Sequence, residues 1–252
     1  MLRLRPYKRC DAKYIVGWAK DEYAFRQWTA DRYDKYPINA DDMNAHYDAL
    51  AESDAFFQMT AFDETGVVGH LIMRFTDEKQ EVLRLGFVIV DDEKRGLGYG
   101  KEMLRLSIEY AFQILKVRKI TIGVFENNEP AYYCYKAVGF KDVPQEEYEY
   151  YNVLGESWKC VELEIDNSAI KRVQEMELYF DEITEAVKNS PERVTEDAEI
   201  QEMLEQLVDY YEGGQWLADY EADERGEFPD DLKRGVLSQD GIFNLLFDIE
   251  QL

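Results

Sequence analysis

One stretch of the sequence joins an apolar strand pattern to closely spaced glycines and basic residues. It runs from Leu85 to Lys101, and the pattern Arg-x-x-Gly-x-Gly begins in it at Arg95. Glycine has no Cβ, so backbone N–H groups beside it can approach a ligand closely. The first N–H groups of a helix also lie at the positive end of the helix dipole, where anions bind. Because Lys94 and Arg95 add positive charge, the stretch predicts a phosphate or pyrophosphate site.

Two well-known phosphate motifs do not fit this turn. The dinucleotide motif Gly-x-Gly-x-x-Gly and the triphosphate-loop ending Gly-Lys-Ser/Thr do not occur in it. A glycine-rich turn without a ligand is the alternative as long as this stretch is taken alone.

A second segment downstream makes the pattern more specific. Asn128 begins it, Tyr135 lies in its middle and Gly139-Phe140 ends it. The two segments, in this order and with a predicted helix and strand between them, resemble the GNAT family of N-acetyltransferases. The resemblance is strong over residues 55–143 and extends over residues 1–165.

The resemblance implies a fold, a co-substrate and a set of contacts. The fold would be α/β of the α+β type, a mixed and mostly antiparallel sheet with flanking helices. The acetyl group of acetyl-CoA would pass directly to an amine, without an acyl-enzyme. By their place in the two motifs, the residues that would contact acetyl-CoA are Val88, Ile89, Val90, Arg95, Gly96, Leu97, Gly98, Tyr99, Gly100, Lys101 and Asn128.

The resemblance also implies an acid but not a base. Tyr135 matches the proton donor of the family, and a phenol within hydrogen-bond reach is a reasonable acid for a departing thiolate. A purely packing role is the alternative for this side chain. Ribosomal-protein acetyltransferases of the family carry a glutamate where this sequence has Gly123, so the general base is open. Glu126 is the nearest acidic candidate, and a chain of water molecules is another route for the proton.

The acceptor amine should lie near the first two helices, in a region rich in aromatic residues. We predict Trp28 and Tyr33 as substrate-binding residues, and Asp31 and Asp34 could meet a cationic amine. The alternative is that these aromatic side chains simply cover the sheet.

The chain changes character after Asp166. Before it, strand patterns such as residues 82–90 alternate with helix patterns such as residues 11–20. Afterwards apolar residues recur at spacings of three and four, which predicts a helix over residues 168–189 and a last helix capped by Ser238. We therefore predict two domains, residues 1–166 and 168–252. The second resembles a small bacterial helical domain family of unknown function through three segments, which are 172–177, 210–220 and 233–240.

Composition narrows the functional classes. The longest apolar run is short and no secretory signal is visible, so we expect a cytoplasmic protein without membrane contact. Three scattered cysteines and two histidines argue against disulfides and metal sites. The net charge of −24, mostly in the C-terminal third, disfavours nucleic acid and favours a cationic acceptor; a role in solubility alone is the alternative. A homodimer is left open.

The leading interpretation is an N-acetyltransferase that modifies a primary amine of a small molecule or protein. The rival is a non-catalytic acyl-CoA sensor or interaction protein, which the glycine at position 123 keeps open.

Overall fold

The chain divides into two units in the computed structural model. The model describes residues 1–50, 52–225, 228, 232–238 and 240–252. The first unit is Met1–Asp166 and the second is Asn167–Leu252, and each is described by itself.

Within its described residues, the first unit contains eight strands and five α-helices. The strands are β1 (Arg3–Pro6), β2 (Phe56–Asp63), β3 (Gly66–Phe75), β4 (Val82–Val90), β5 (Lys119–Phe125), β6 (Lys141–Asp142), β7 (Glu149–Val153) and β8 (Glu156–Asp166). The helices are α1 (Ala12–Ile15, after a 3₁₀ turn at Arg9–Asp11), α2 (Glu22–Thr29), α3 (Ala40–Asp48), α4 (Tyr99–Glu109, continued by a π turn at Tyr110–Ile114) and α5 (Glu129–Lys136).

All eight strands form one mixed sheet. The order is β1-β2-β3-β4-β5-β8-β6, and β7 pairs with β8. Only β4 and β5 run parallel; the other pairs are antiparallel. The architecture confirms the predicted fold class, a mostly antiparallel mixed sheet with flanking helices followed by an all-helical unit.

The two parallel strands separate halfway along their length. Their ladder runs from Val82 opposite Lys119 to Leu85 opposite Ile122 and goes no further. On the other side of β4, His70 lies opposite Ile89 and Ile72 opposite Gly86, so two β4 residues face one β3 residue. Such a bulge bends a strand, and the bulge residue Phe87 has a φ of 48°. The bend opens a gap between β4 and β5.

Alternating residues of the central strands pack against different helices. Leu71 and Met73 of β3 belong to the core that also contains Met103 of α4, whereas Ile72 packs with Phe25 of α2 in a second core. The alternation follows from the pleat, which points successive side chains to opposite faces. Helices therefore cover both faces of the sheet and bring their own side chains to the gap.

The first helical region differs from the sequence prediction. We expected one helix over residues 11–20, but α1 ends at Ile15, where Gly17 N and Trp18 N donate to the carbonyls three residues earlier. The short α2 was not predicted at all. It begins at the Asp21 cap, whose side chain accepts a hydrogen bond from Ala24 N at 2.7 Å.

The second unit contains helices only, within its described residues. They are α6 (Ser168–Asn189), α7 (Glu192–Glu196), α8 (Ala198–Glu212), α9 (Gln215–Glu224) and α10 (Gly241–Glu250). Its core is its own, built around Val173, Ile183, Leu207 and Ile242. No helix in the described part of the chain is long and apolar enough to cross a membrane.

Buried polar groups connect the helices of the second unit. Asp219, 2% exposed, accepts hydrogen bonds from Arg172 at 2.5 and 2.8 Å and from Tyr210 at 3.2 Å. Trp216 donates its indole N–H to the Val236 carbonyl at 2.8 Å, which is the contact of a core anchor.

The predicted cap of the last helix was wrong. We expected Ser238 to cap it, but α10 begins at Gly241 after Asp240, without a side-chain cap. The Ser238 carbonyl instead accepts from Gly241 N at 3.0 Å, closing a backbone turn. Gln239 of this turn lies outside the described residues.

Candidate functional site

Two cavities meet where β4 and β5 separate. The larger has a volume of about 800 Å³ and the smaller about 150 Å³. Five residues line both of them and mark the junction: Gln27, Trp28, Val88, Asn128 and Tyr135.

Residues 95–101, here called the glycine turn, form one wall of the larger cavity. Gly96 and Gly98 have φ values of 78° and 89°, a conformation that residues with a Cβ rarely adopt. Gly98 is the residue that precedes α4, so the first N–H groups of an eleven-residue helix follow it directly. Gly100 and Lys101 also line this cavity. The arrangement suits a pyrophosphate, with backbone donors and the Lys101 side chain beside an open surface.

Side chains of the glycine turn bind it to the sheet and to the segment after α1. Arg95 donates to the Trp18 carbonyl at 2.8 Å and to the Val90 carbonyl at 3.3 Å. Tyr99 donates to the Asp63 carboxylate at 2.7 Å. Leu97 is 69% exposed and, like Tyr99, lies outside the lining of the larger cavity. Leu97 and Tyr99 therefore contribute backbone to the turn, while Arg95 also braces it.

The separated half of β4 forms another part of the wall of the larger cavity. Val88, Ile89 and Val90 line the larger cavity. The ladder to β5 stops at Leu85, so beyond it the backbone groups on the β5 side of β4 face the gap, while the other side still pairs with β3. A ligand with its own amide groups can pair with such an edge, as an added strand would.

Tyr135 lies at the junction of the two cavities. Its side chain is 6% exposed, and the hydroxyl has no hydrogen-bond partner among the described residues. Burial raises the pKa of this phenol, so it stays protonated at neutral pH. Asn128 precedes α5 and uses its side-chain oxygen to accept from Ala131 N at 3.4 Å. The site thus holds a protonated donor where the contents of the two cavities would meet.

An ion pair lies beside the smaller cavity, at the position of the family glutamate. A Cβ on Gly123 would lie 2.5 Å from Arg84 Nη2 and 2.8 Å from Glu162 Oε1. Arg84 and Glu162 bind each other through two hydrogen bonds of 2.6 Å. The absence of a side chain at Gly123 is therefore what makes room for this pair.

Several predicted residues lie away from both cavities. Tyr33 is buried against Phe25 and lines neither cavity, whereas its predicted companion Trp28 lines both. Glu126 is outside both linings, and its carboxylate is 3.1 Å from Lys159. Asp31, for which we considered a cationic amine, instead pairs with Arg32 at 3.1 Å.

Sequence reasoning missed three arginines. Arg32, Arg74 and Arg84 all line the smaller cavity, and the described lining contains no aspartate, glutamate or histidine. They are far apart in sequence, so only the strand register and the α2–α3 connection bring them together. Arg74 and Arg84 can be identified as neighbours only when the β3–β4 register is known.

Both units match family models. Residues 18–140 match the acetyltransferase (GNAT) family, and residues 173–252 match a domain of unknown function, DUF4298. The spermidine N(1)-acetyltransferase of Escherichia coli K12 is 23% identical over 139 residues, which cover 55% of this chain and 72% of the relative. The spermine/spermidine N(1)-acetyltransferase of Bacillus subtilis is 32% identical over 65 residues, covering 26% of this chain and 43% of the relative.

A solved structure shares the fold of the first unit. The spermidine N-acetyltransferase of Vibrio cholerae, in complex with CoA and spermine, superposes with a TM-score of 0.58 at 20% identity. The match covers 66% of this chain and 96% of that one. Since the family model spans both motifs of the site, residues 18–140 form a GNAT acetyltransferase domain, and the protein is an acetyl-CoA-dependent N-acetyltransferase that also contains a DUF4298 domain at residues 173–252.

Proposed function

We propose that the first unit transfers the acetyl group of acetyl-CoA directly to a small primary amine bound in the smaller cavity. The observation that carries the proposal is the position of Tyr135, which lines both cavities at the point where β4 and β5 separate. A donor at this point can protonate a leaving group in the larger cavity while the nucleophile attacks from the smaller one.

The larger cavity takes the co-substrate in this proposal. The residues 95–101 hold the pyrophosphate through backbone N–H groups and Lys101, and Asn128 contacts the cofactor arm. Main-chain groups of Val88, Ile89 and Val90 pair with the amides of the pantetheine arm. A volume of about 800 Å³ agrees with a ligand of this size.

The chemistry needs one bond made and one broken. When bound, acetyl-CoA supplies an activated thioester. The amine attacks the carbonyl carbon, a C–N bond forms and the C–S bond breaks. A backbone N–H of the separated half of β4 polarises the carbonyl oxygen, and Tyr135 donates its proton to the departing thiolate.

The acceptor must lose a proton before or during attack. An alkylamine of pKa about 10.4 is mostly protonated at neutral pH, and deprotonating it costs on the order of 4 kcal/mol. The described lining of the smaller cavity offers no carboxylate or imidazole as a base. Glu126 pairs with Lys159 outside the cavity, so we assign the proton's exit to water rather than to Glu126.

The relatives supply the first acceptors to assay. Several of them are named as spermidine or spermine acetyltransferases, so polyamines belong in the panel. One solved relative is described as a dodecamer. Assemblies of this chain, from a homodimer upward, are therefore to be measured by light scattering alongside the activity.

The test is thiol release from acetyl-CoA in the presence of a panel of primary amines. The proposal expects amine-dependent release that Tyr135→Phe reduces strongly. Binding of acetyl-CoA without release for any amine would instead support the non-catalytic sensor.

A further inference from the structure

The smaller cavity has an unusual charge distribution for a cationic acceptor. Arg32, Arg74 and Arg84 line it, and the described lining residues carry no negative charge. Glu162 neutralises Arg84, and Asp31 lies 3.1 Å from Arg32 at the exposed side. Arg74 has no ion-pair or hydrogen-bond partner among the described residues. Among the described residues, Arg74 is therefore the one arginine of the cavity without a direct ion pair, although the Glu162 carboxylate lies near enough to act on its pKa.

The position of Arg74 in the sheet destabilises the folded protein. Arg74 on β3 and Arg84 on β4 are direct partners in the antiparallel register. Like charges at directly opposite positions destabilise a sheet. The pKa of Arg74 is lowered by partial burial and then by the neighbouring guanidiniums of Arg84 and Arg32. Residues that break a local stability rule concentrate at functional sites.

A second donor at the same place lacks an acceptor. The indole nitrogen of Trp28 is buried and has no hydrogen-bond partner in the part of the chain that the structure describes, and Trp28 lines both cavities. An indole N–H can only donate, as can a guanidinium. The unsatisfied groups around the cavity are thus donors, which calls for a ligand that brings acceptor oxygens.

We propose that the acceptor is a small primary amine that also carries an anionic oxygen group, a carboxylate or a phosphate, which Arg74 binds together with Arg32. The inference rests on the proposed acetyl transfer and specifies its acceptor. Arginine suits either group because its planar fork binds two oxygens at once.

The same charges disfavour an acceptor whose second group is cationic. Guanidiniums repel an ammonium group placed beside them, because like charges disfavour the charged form. A polyamine would bring two or more ammonium groups against the same arginines and would gain nothing from them.

The test compares four amines of nearly equal length. They are 4-aminobutanoate, its neutral analogue 4-aminobutanamide, 3-aminopropyl phosphate and the diamine 1,4-diaminobutane, with spermidine and the shorter and longer homologues added. We expect kcat/KM for the carboxylate or the phosphate to exceed that of the neutral amide by about ten- to a hundredfold, as for a charge-assisted hydrogen bond. The two anionic probes separate a carboxylate acceptor from a phosphate acceptor.

Variants of Arg74 provide the matched comparison. Arg74→Gln should reduce the anionic-to-neutral ratio by at least tenfold, Arg74→Lys should keep most of it, and Arg74→Glu should shift the preference toward the diamine. Arg118→Gln removes the same charge from a residue that lines neither cavity and pairs with Asp166, and it should leave the ratio unchanged. A melting curve for each variant separates loss of preference from loss of fold.

The outcomes distinguish this inference from the proposed function. A higher kcat/KM for spermidine or the diamine than for both anionic probes leaves acetyl transfer standing and overturns the inference. If no amine is acetylated, the proposed function fails, and the preference is read from calorimetric titration of the same probes in the presence of CoA. Equal affinities for 4-aminobutanoate and its amide in that titration would overturn the inference independently.

Discussion

The phenolic oxygen of Tyr99 lies 2.7 Å from the Oδ2 atom of Asp63, which connects the first residue of α4 to the end of β2. The other oxygen of Asp63 accepts from the Thr65 hydroxyl at 2.6 Å and from Thr65 N at 2.7 Å. Arg95 holds the preceding residues through the Trp18 and Val90 carbonyls. The glycine turn is therefore fixed on both sides before any ligand binds, which lowers the entropy lost on binding.

The Tyr99–Asp63 contact predicts a pH-dependent effect of Tyr99→Phe. Hydrogen bonds from the Thr65 and Tyr99 side chains lower the pKa of Asp63. A carboxylate whose folded pKa is depressed contributes stability above its unfolded pKa of about 3.9 and loses it as pH falls through the folded pKa. The melting temperature of Tyr99→Phe should therefore lie below the wild type at pH 7, and the gap should narrow below about pH 4.

Binding and a control complete this experiment. Tyr99→Phe should also weaken acetyl-CoA binding severalfold at pH 7, because the turn is less fixed. Tyr14→Phe, which removes an exposed hydroxyl without a hydrogen-bond partner among the described residues, should change neither quantity. A stability gap for Tyr99→Phe that is constant from pH 7 to pH 3 would contradict the role assigned to Asp63.

Gly98→Asp should abolish tight acetyl-CoA binding. Gly98 precedes α4 with a φ of 89°, and a carboxylate there would place negative charge where the pyrophosphate is expected. We expect the Kd for CoA, measured by calorimetry, to rise by more than about tenfold, the effect of 1.4 kcal/mol.

Gly155→Asp is a matched control for this substitution. Gly155 has a φ of 80° and, like Gly98, open space where a Cβ would be added, but it lies in the turn between β7 and β8. Both variants should lose a similar amount of stability, about 1–2 kcal/mol for a left-handed residue with a Cβ. Equal CoA affinities for the two variants would remove the glycine turn from the binding site.

Much of the fold was predictable because its signals are local. The strand pattern predicted β4 at its observed bounds, Val82–Val90, and the apolar spacing predicted α6 at Ser168–Asn189. The short α2 was missed although two local signals existed, the Asp21 cap and the spacing of its buried residues Phe25 and Thr29. Aromatic residues on both sides of that helix obscured its period.

The parts of the site that depend on long-range geometry were not predictable. The bulge at Phe87 exists only relative to the register of β3, and no residue type announces it. Arg74 and Arg84 become neighbours through the same register. The aromatic side chain of Tyr33 suggests a substrate-binding residue, yet it packs against Phe25 and Phe87 in the core.

Introducing the family glutamate at Gly123 should not improve catalysis. A side chain there would collide with the Arg84 guanidinium and the Glu162 carboxylate, at 2.5 and 2.8 Å from its Cβ. Gly123→Glu should lower the free energy of unfolding by about 1–3 kcal/mol, as for overpacking of a filled site. Gly123→Ala separates the collision from the charge and should show most of the same loss. A Gly123→Glu variant with wild-type stability and higher kcat would contradict this, because it would show that the Arg84–Glu162 pair can be displaced without loss of stability.

Tyr135→Phe should separate chemistry from binding. General acid catalysis contributes about 10²–10⁴ in rate, so kcat should fall by that factor while acetyl-CoA affinity barely changes. Burial keeps the Tyr135 phenol protonated, so no loss of wild-type activity through its ionisation is expected up to about pH 10. Tyr132→Phe, which removes a neighbouring hydroxyl bound to Asp142, is the control. A wild-type rate constant of acetyl transfer for Tyr135→Phe, measured under single-turnover conditions, would exclude the acid role.

A chain that ends at Asp166 should fold and still bind acetyl-CoA. The three hydrophobic cores before that residue and the single core after it share no residues, so truncation removes no buried side chain from the first unit's cores. Every residue assigned to the co-substrate also lies before Asp166. We expect the Tm of the truncated protein to stay within about 4 °C of the corresponding transition in the full chain, which is about 1 kcal/mol for a domain of this size. Calorimetry should give the same Kd for CoA within about threefold, a difference well under 1.4 kcal/mol.

Residues 167–252 produced alone should show a helical circular dichroism spectrum and no CoA binding. An insoluble or non-binding truncation, with the full chain active, would show that the helical unit is required for the acetyltransferase fold and that the boundary is misplaced.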